Sequence, residues 1–206
     1  MFRLSKPSSE VIDRFIASQR ELPFTYSQTG ATLDLPGRQA VPASKQSRGV
    51  RHLSGFTIDH NRVRLGEGKE TYQRAVASLR RWQQFDLGWL SIAPAGAPVS
   101  VGTTVAIQAN TYGLWSLSAA RIVYVVDEDG PEKTFGFAYG TLPDHVECGE
   151  ERFTVEWHTD DSVWYDLCAF SRPRHTLVRM AFPLTRMLQK RFARESLAVM
   201  AAASRS

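Results

Sequence analysis

Between Tyr139 and Glu151 the chain sets a phenol, an imidazole and four carboxyl groups close together: Tyr139, Asp144, His145, Glu147, Glu150 and Glu151. Carboxylates beside a histidine shift one another's proton affinity and can support general acid–base chemistry, so His145 with Glu147 or Glu150 is the candidate catalytic pair. A second reading needs no chemistry. Acidic residues around a glycine also make a solvated hairpin turn, with Gly149 supplying a positive φ.

Other polar residues carry the same double reading. Arg121 lies between Ala120 and Ile122 in an apolar stretch, where it could brace the fold or fork onto a carboxylate such as Glu150 or Glu151. Arg172, before Pro173, admits structural and ligand-binding roles alike. Cys168 alternates with apolar neighbours and reads as an inert small hydrophobe. The familiar catalytic signatures fail. Gly68-Lys69 has Val63 and Glu70 where a phosphate loop needs Gly and Ser or Thr. His145-Val146-Glu147 lacks the P-C-x-x-C of a zinc deaminase. No H-E-x-x-H or G-x-S-x-G occurs, and Cys148 and Cys168 form no zinc framework, so neither a metal nor a cofactor is expected.

The elements that must position these residues follow from periodicity. Phe135, Phe137, Tyr139 and Thr141 alternate with Gly136, Ala138 and Gly140, which places aromatics on one face of a strand and small residues on the other. Glycine weakens a strand, so the small face marks a close approach by a packed helix or room for a ligand. Ser5 can cap a first helix, with Pro7 in its opening turn and Val11, Ile12, Phe15 and Ile16 at helical spacing. The stretch from Thr25 to Gly55 is poor in apolar residues, and Pro36 to Gly49 reads as a loop. Ile58–Leu65 reads as a strand, and Tyr72, Ala75, Val76, Leu79 and Trp82 form a helical stripe that assigns Trp82 to the core.

Strands are expected over Val101–Ala109, Leu114–Val126, Lys133–Leu142, Glu151–His158 and Val163–Phe170, joined as antiparallel hairpins. From His175 to about Met200 the pattern is helical, with Pro183 delaying or kinking the start. Helix, strand, helix, five antiparallel strands and a long final helix make an α+β pattern. A strongly curved antiparallel sheet wrapped on a long C-terminal helix, the helix-grip or START-like arrangement, fits that order and leaves a cavity between sheet and helix. Residues 1–206 are expected to form one domain, with 1–55 a helix and loop extension and 56–206 the helix-grip core.

Composition narrows the classes. Hydrophobic residues make up 43% and charged residues 22%, enough for a proper core. No apolar run approaches the ~20 residues of a spanning helix, no signal peptide is evident, and a cytoplasmic location is expected. The net charge of +4 conceals an acidic stretch from Asp127 to Asp166 and a basic remainder. That asymmetry fits a polar partner or ordinary surface segregation. The basic segment from Arg172 to Arg205 has few features of a nucleic-acid binder, so no nucleic acid is expected and a solvated helix face is preferred.

Leu22-Pro23-Phe24-Thr25-Tyr26, Thr29-Gly30 and Asp59-His60-Asn61-Arg62-Val63-Arg64-Leu65-Gly66 carry a resemblance that continues through Trp82, Gly88-Trp89, Gly102, Arg121-Ile122 and Phe135 to Pro143. It ends on His145, Glu147, Gly149 to Phe153, Ala169 to Pro173 and Gln189. On these residues the chain resembles the uncharacterised protein family numbered 0548, found in bacteria and plants. The Leu33 to Leu53 connection departs from that family by its length. The resemblance implies no activity and no catalytic residue set.

Three functions are therefore in view. The first is binding of a small apolar or amphipathic ligand between sheet and C-terminal helix, with Trp89, Trp115, Phe135 and Phe137 lining the pocket and Tyr139, Arg121, His145, Glu150 and Arg172 as polar contacts. The second is an enzyme using His145 with Glu147 or Glu150. The third is a protein-interaction module presenting the basic C-terminal helix.

Overall fold

The structure is a computed structural model, and it describes residues 2–35, 53–174 and 182–205. Eight strands form one sheet: β1 (Phe2–Arg3), β2 (Thr57–Glu67), β3 (Leu90–Ala93), β4 (Thr104–Thr111), β5 (Leu114–Asp129), β6 (Lys133–Thr141), β7 (Glu147–Trp157) and β8 (Ser162–Pro173). Their order is β2-β8-β7-β6-β5-β4-β3, every pairing is antiparallel, and β1 pairs with the start of β5. Register shifts between Arg64 and Gly66 and between Ile122 and Tyr124 add to the curvature, since an extra residue on one strand bends it. Among the described residues three α-helices accompany the sheet: α1 (Ser9–Gln19), α2 (Gly68–Arg80) and α3 (Phe182–Ala203). This is the expected helix-grip fold, a curved antiparallel sheet with a long C-terminal helix across it and a helix in the N-terminal extension.

Period-two alternation divides the sheet into two differently filled faces. On the concave face, Phe135, Phe137, Phe153, Val155 and Tyr165 pack with Leu79 and Trp82 of the α2 region and with Met200 of α3. Trp82 is buried as expected, its ring 4.6 Å from Phe137 and its indole N–H donated to the Ala97 carbonyl over 2.8 Å. On the convex face, Ile12, Phe15 and Ile16 of α1 pack on Ala106, Leu117 and Ala119 of β4 and β5. Burial of each such large apolar side chain contributes about 1.5–3 kcal/mol. The neighbouring part of that face, on β7 and β8, is covered by Tyr26, Leu35 and Leu53 against Cys148, Cys168 and Phe170.

Several boundaries differ from expectation. The cap of α1 is Ser8, whose hydroxyl accepts from the Val11 amide over 3.4 Å; Pro7 biases the residue before it away from helical angles, so Ser5 is excluded. β3 had no sequence counterpart because four residues are too few to show alternation. The largest change is at β7, which begins at Glu147 rather than Glu151. Glu147, Glu150 and Gly149 lie in a strand that pairs with β8 on one side and, from Glu150, with β6 on the other, so they are not turn residues. The expected loop from Pro36 to Gly49 and the start of the last helix, including Leu177, Arg179 and Ala181, lie outside the described residues.

Gly136, Ala138 and Gly140 were expected to face the C-terminal helix or a cavity. They face the other way. A Cβ on Gly140 would sit 2.2 Å from the Tyr26 hydroxyl and 2.9 Å from a Phe24 ring carbon, and one on Gly136 would sit 2.3 Å from the Phe153 carbonyl oxygen. The close approach predicted from these glycines is real, but the N-terminal extension and the neighbouring strand make it. Alternation separates two faces without revealing which is concave.

Candidate functional site

The concave face is filled with aromatic rings at one end and carries small side chains at the other. Ala109, Ser116, Ser118, Gly149, Ala169 and Ser171 leave space beneath α3, and a cavity of about 1100 Å³ opens there. Its apolar walls come from Phe85, Leu90, Ile107 and Leu167 and from Leu188 and Phe192 of α3. Gly149 is required where it stands, because an added Cβ would fall 1.9 Å from the Phe170 carbonyl oxygen.

Polar groups gather along one set of strands. Tyr139 pairs with Glu151, Glu151 with Ala169, and Ala169 with Asp59, so these residues form a row across β6, β7, β8 and β2. Tyr139 donates its hydroxyl hydrogen to Glu151. Asp59 is held by both terminal nitrogens of Arg186 on α3, over 2.5 and 2.8 Å. Arg186 also donates to Gln189 over 2.8 Å, and Gln189 donates to Ser171 over 3.2 Å. The helix is thus tied to the sheet at the polar end of the cavity.

Glu147 enters this end with only 8% of its surface exposed, and among the described residues neither carboxyl oxygen has a hydrogen-bond partner. Burial pushes its pKa up from 4.5 to about 7, against the lowering influence of the Ser171 hydroxyl and Arg186; Ser171 is close enough to be felt without a hydrogen bond of ordinary geometry. Burial likewise raises Glu151 to about 7 and holds the Tyr139 phenol well above its ordinary value. His145 is partly buried at the cavity edge, and loss of hydration lowers its pKa to about 4, so the ring is neutral at pH 7. The Glu147 amide donates to His145 Nδ1 over 3.0 Å, which leaves the ring proton on Nε2. Glu147 and Glu151 are four residues apart in one strand, roughly 13 Å on ideal geometry, too far to share a proton directly.

The other sequence candidates are distributed differently. Trp89 lines the cavity; its indole N–H is donated to Glu195 over 2.6 Å, and Arg191 stacks 4.6 Å from its ring centre. Phe135 and Phe137 lie in the closed aromatic core. Trp115, Arg121 and Arg172 do not line the cavity; the first two brace the N-terminal extension, and Arg172 packs on Phe56 just beyond it. Lys6 sits over Trp115 at 5.8 Å, Arg121 over Phe24 at 4.5 Å and Arg172 over Phe56 at 4.6 Å, while Arg121 also donates to the Arg20 carbonyl over 2.6 Å. The carboxylate of Glu150 turns to the convex side, accepting from the Tyr26 hydroxyl (2.7 Å) and the amides of Gly30 (2.7 Å) and Thr32 (3.0 Å). Arg121 therefore makes no fork with Glu150. A fully buried arginine–carboxylate pair is instead Arg152 with Asp166, a single contact at 3.0 Å.

Sequence reasoning missed Asp59, Arg186, Gln189 and Glu151 as neighbours of one space. The signal available was the cluster of small residues on one face of neighbouring strands β7 and β8, Gly149, Ala169 and Ser171, opposite an amphipathic helix.

The family model described as a domain of unknown function, DUF1990, matches residues 25–199. A UPF0548 protein of Dictyostelium discoideum is 39% identical over 206 residues, covering 95% of this chain and 92% of its own length. One from Deinococcus radiodurans is 38% identical, covering 94% of each chain.

The chain belongs to the DUF1990 family.

A UPF0548 protein of Arabidopsis thaliana extends the likeness to plants at 35% identity over 145 residues, covering 69% of this chain and 70% of its own length. The DUF1990 match takes in the whole polar end of the cavity, from Asp59 to Gln189, and leaves β1 and α1 outside. Among solved structures, a hypothetical protein from Helicobacter pylori aligns with a TM-score of 0.51 at 12% identity, covering 73% of this chain and 88% of its own; the likeness is one of fold. No helix among the described residues is long and apolar enough to cross a membrane.

Proposed function

We propose that this DUF1990 protein binds a small apolar or amphipathic molecule between the concave face of the sheet and α3. The observation that carries the reading is the cavity itself: about 1100 Å³, with apolar walls and a few polar groups converging at one end. Trp89, Tyr139, His145 and Glu147 border it, and Glu151 and Ser171 complete its polar side. Two buried free thiols, Cys148 and Cys168, agree with a reducing compartment, and we place the protein in the cytoplasm.

Native mass spectrometry of the purified protein, followed by denaturing extraction, tests the reading. A stoichiometric small molecule that is absent from an Ala169→Leu variant supports it. Retention of that molecule by a folded Ala169→Leu variant places it elsewhere and overturns the assignment of the cavity.

A second reading is acid–base catalysis, favoured by the two carboxyl groups whose pKa values burial brings to about 7, where a general acid or base works best at neutral pH. Glu147, rather than Glu150, is the partner of His145 in that reading. Turnover that survives Glu147→Gln and His145→Gln would exclude it. The interaction-module reading has less behind it, since Arg186 and Arg191 are held within the fold by Asp59 and Glu195.

A further inference from the structure

We propose that the occupant of the cavity is a cationic amphiphile, a protonated amine on an apolar body, with its ammonium group seated on Glu147. The inference rests on the cavity-binding reading and names the chemistry of the ligand.

The polar end holds three carboxyl groups, Asp59, Glu147 and Glu151, and their protein partners are unequal. Asp59 has both terminal nitrogens of Arg186, and Glu151 has the Tyr139 hydroxyl. Among the described residues Glu147 has no hydrogen bond of ordinary geometry on either oxygen, with only the Ser171 hydroxyl near enough to be felt, although more than nine-tenths of its surface is buried. The surrounding chain explains why. The Arg186 guanidinium that faces it gives its terminal nitrogens to Asp59 and Gln189, and the nearby imidazole nitrogen Nδ1 accepts from the backbone amide of Glu147. Lys190 and Arg194 border the cavity from α3, but both are exposed, and Arg194 lies 3.8 Å from Glu195.

A carboxylate removed from water without a donor is expensive to keep, and a charge-assisted N⁺–H···O⁻ bond offsets that cost better than a neutral one. An anionic head seated at the same place would meet the Glu147 carboxylate itself, so the arrangement disfavours fatty-acid-like ligands. The apolar body has Leu90, Ile107, Leu167 and Phe192 to cover it.

Isothermal titration of the full chain at pH 7.5 with decylamine, decanol and decanoate, each below its micellar concentration, tests this. Decylamine is expected to bind at least about tenfold more tightly than the other two, and Glu147→Gln to remove that advantage. Equal or tighter binding of decanol or decanoate to the unaltered protein overturns the cationic assignment while the cavity reading stands. So does an undiminished decylamine affinity in a folded Glu147→Gln variant. If none of the three probes binds, both readings fall. The head-group series on the unaltered protein makes the outcome independent of how the variant folds.

Discussion

The phenol of Tyr26 reaches Glu150 across the convex face of the sheet, donating its proton over 2.7 Å. Two consecutive residues of β7 thereby serve opposite faces. Glu150 anchors the N-terminal extension, while Glu151 takes a phenol of its own, Tyr139, on the cavity side. Tyr26→Phe removes one donor from a buried carboxylate that keeps three others, the Gly30 and Thr32 amides and the Thr32 hydroxyl. The expected loss is about 1.5–3 kcal/mol in urea unfolding, with ligand occupancy of the cavity unchanged.

The glycines of β6 and β7 should rank by what their added methyl would strike. Gly140→Ala meets the Tyr26 hydroxyl and the Phe24 ring, side chains that can shift, and is expected to cost about 1–3 kcal/mol. Gly149→Ala meets the Phe170 backbone and should cost more. Equilibrium unfolding of both variants checks the order.

Stability should fall as pH rises from about 4.5 to about 7 because of Glu147. Its folded pKa of about 7 lies above its ordinary 4.5, so the folded state holds a proton that the unfolded chain releases between those values. The stabilisation is complete below about pH 4.5 and lost as pH rises through 7. Glu147→Gln, facing the same Arg186, Asp59 and Ser171, keeps the neutral form at every pH. Relative to wild type it should gain stability on raising the pH from 4.5 to 8, by roughly 3 kcal/mol at most. A constant difference across that range would refute the assignment.

His145 acts in the opposite sense. Its folded pKa of about 4 is below its ordinary 6.5, so the unfolded chain takes up a proton that the folded state refuses, and stability declines as pH falls from 6.5 to 4. His145→Gln should abolish that acid limb, leaving a profile whose slope between pH 4.5 and 6.5 is set by Glu147 and Glu151. Denaturant titrations at half-unit pH steps measure it.

Asp166→Asn should be the most damaging of the polar substitutions. Asp166 is fully buried and accepts from Arg152 at 3.0 Å and from His60 Nε2 at 2.5 Å. Removing one partner of a buried ion pair strands the other, an expected loss of about 3–5 kcal/mol seen as a lower denaturant midpoint.

The order of elements was readable in the sequence because the strands between Val101 and Phe170 alternate cleanly and the last helix carries an unbroken apolar stripe. The family resemblance was readable for a different reason, the matching of particular residues from Leu22 to Gln189. The polarity of the sheet was not readable. Period two separates Phe137 from Ala138, but only the position of α3 and of Tyr26 decides which side encloses space. The start of β7 was hidden because acidic residues and glycine are poor strand formers, and pairing with both neighbours overrides that preference. Asp59 and Arg186 were invisible as a pair, since 127 residues separate them and only the packing of α3 on the edge strand β2 brings them together.

The padding on the convex side has a mechanical consequence. A sheet with one wet face can flatten or curl to suit its contents. Here α1 backs β4 and β5, and the segment around Tyr26 and Leu35 backs β7 and β8, so a change of curvature would tear apolar contacts on the outside as well as the inside. The wall therefore behaves as a stiff mould whose radius is set before any guest arrives. Under the proposed binding function, size discrimination falls to α3, which is held near its start by Arg186 and Gln189 and further along by the contact between Trp89 and Glu195.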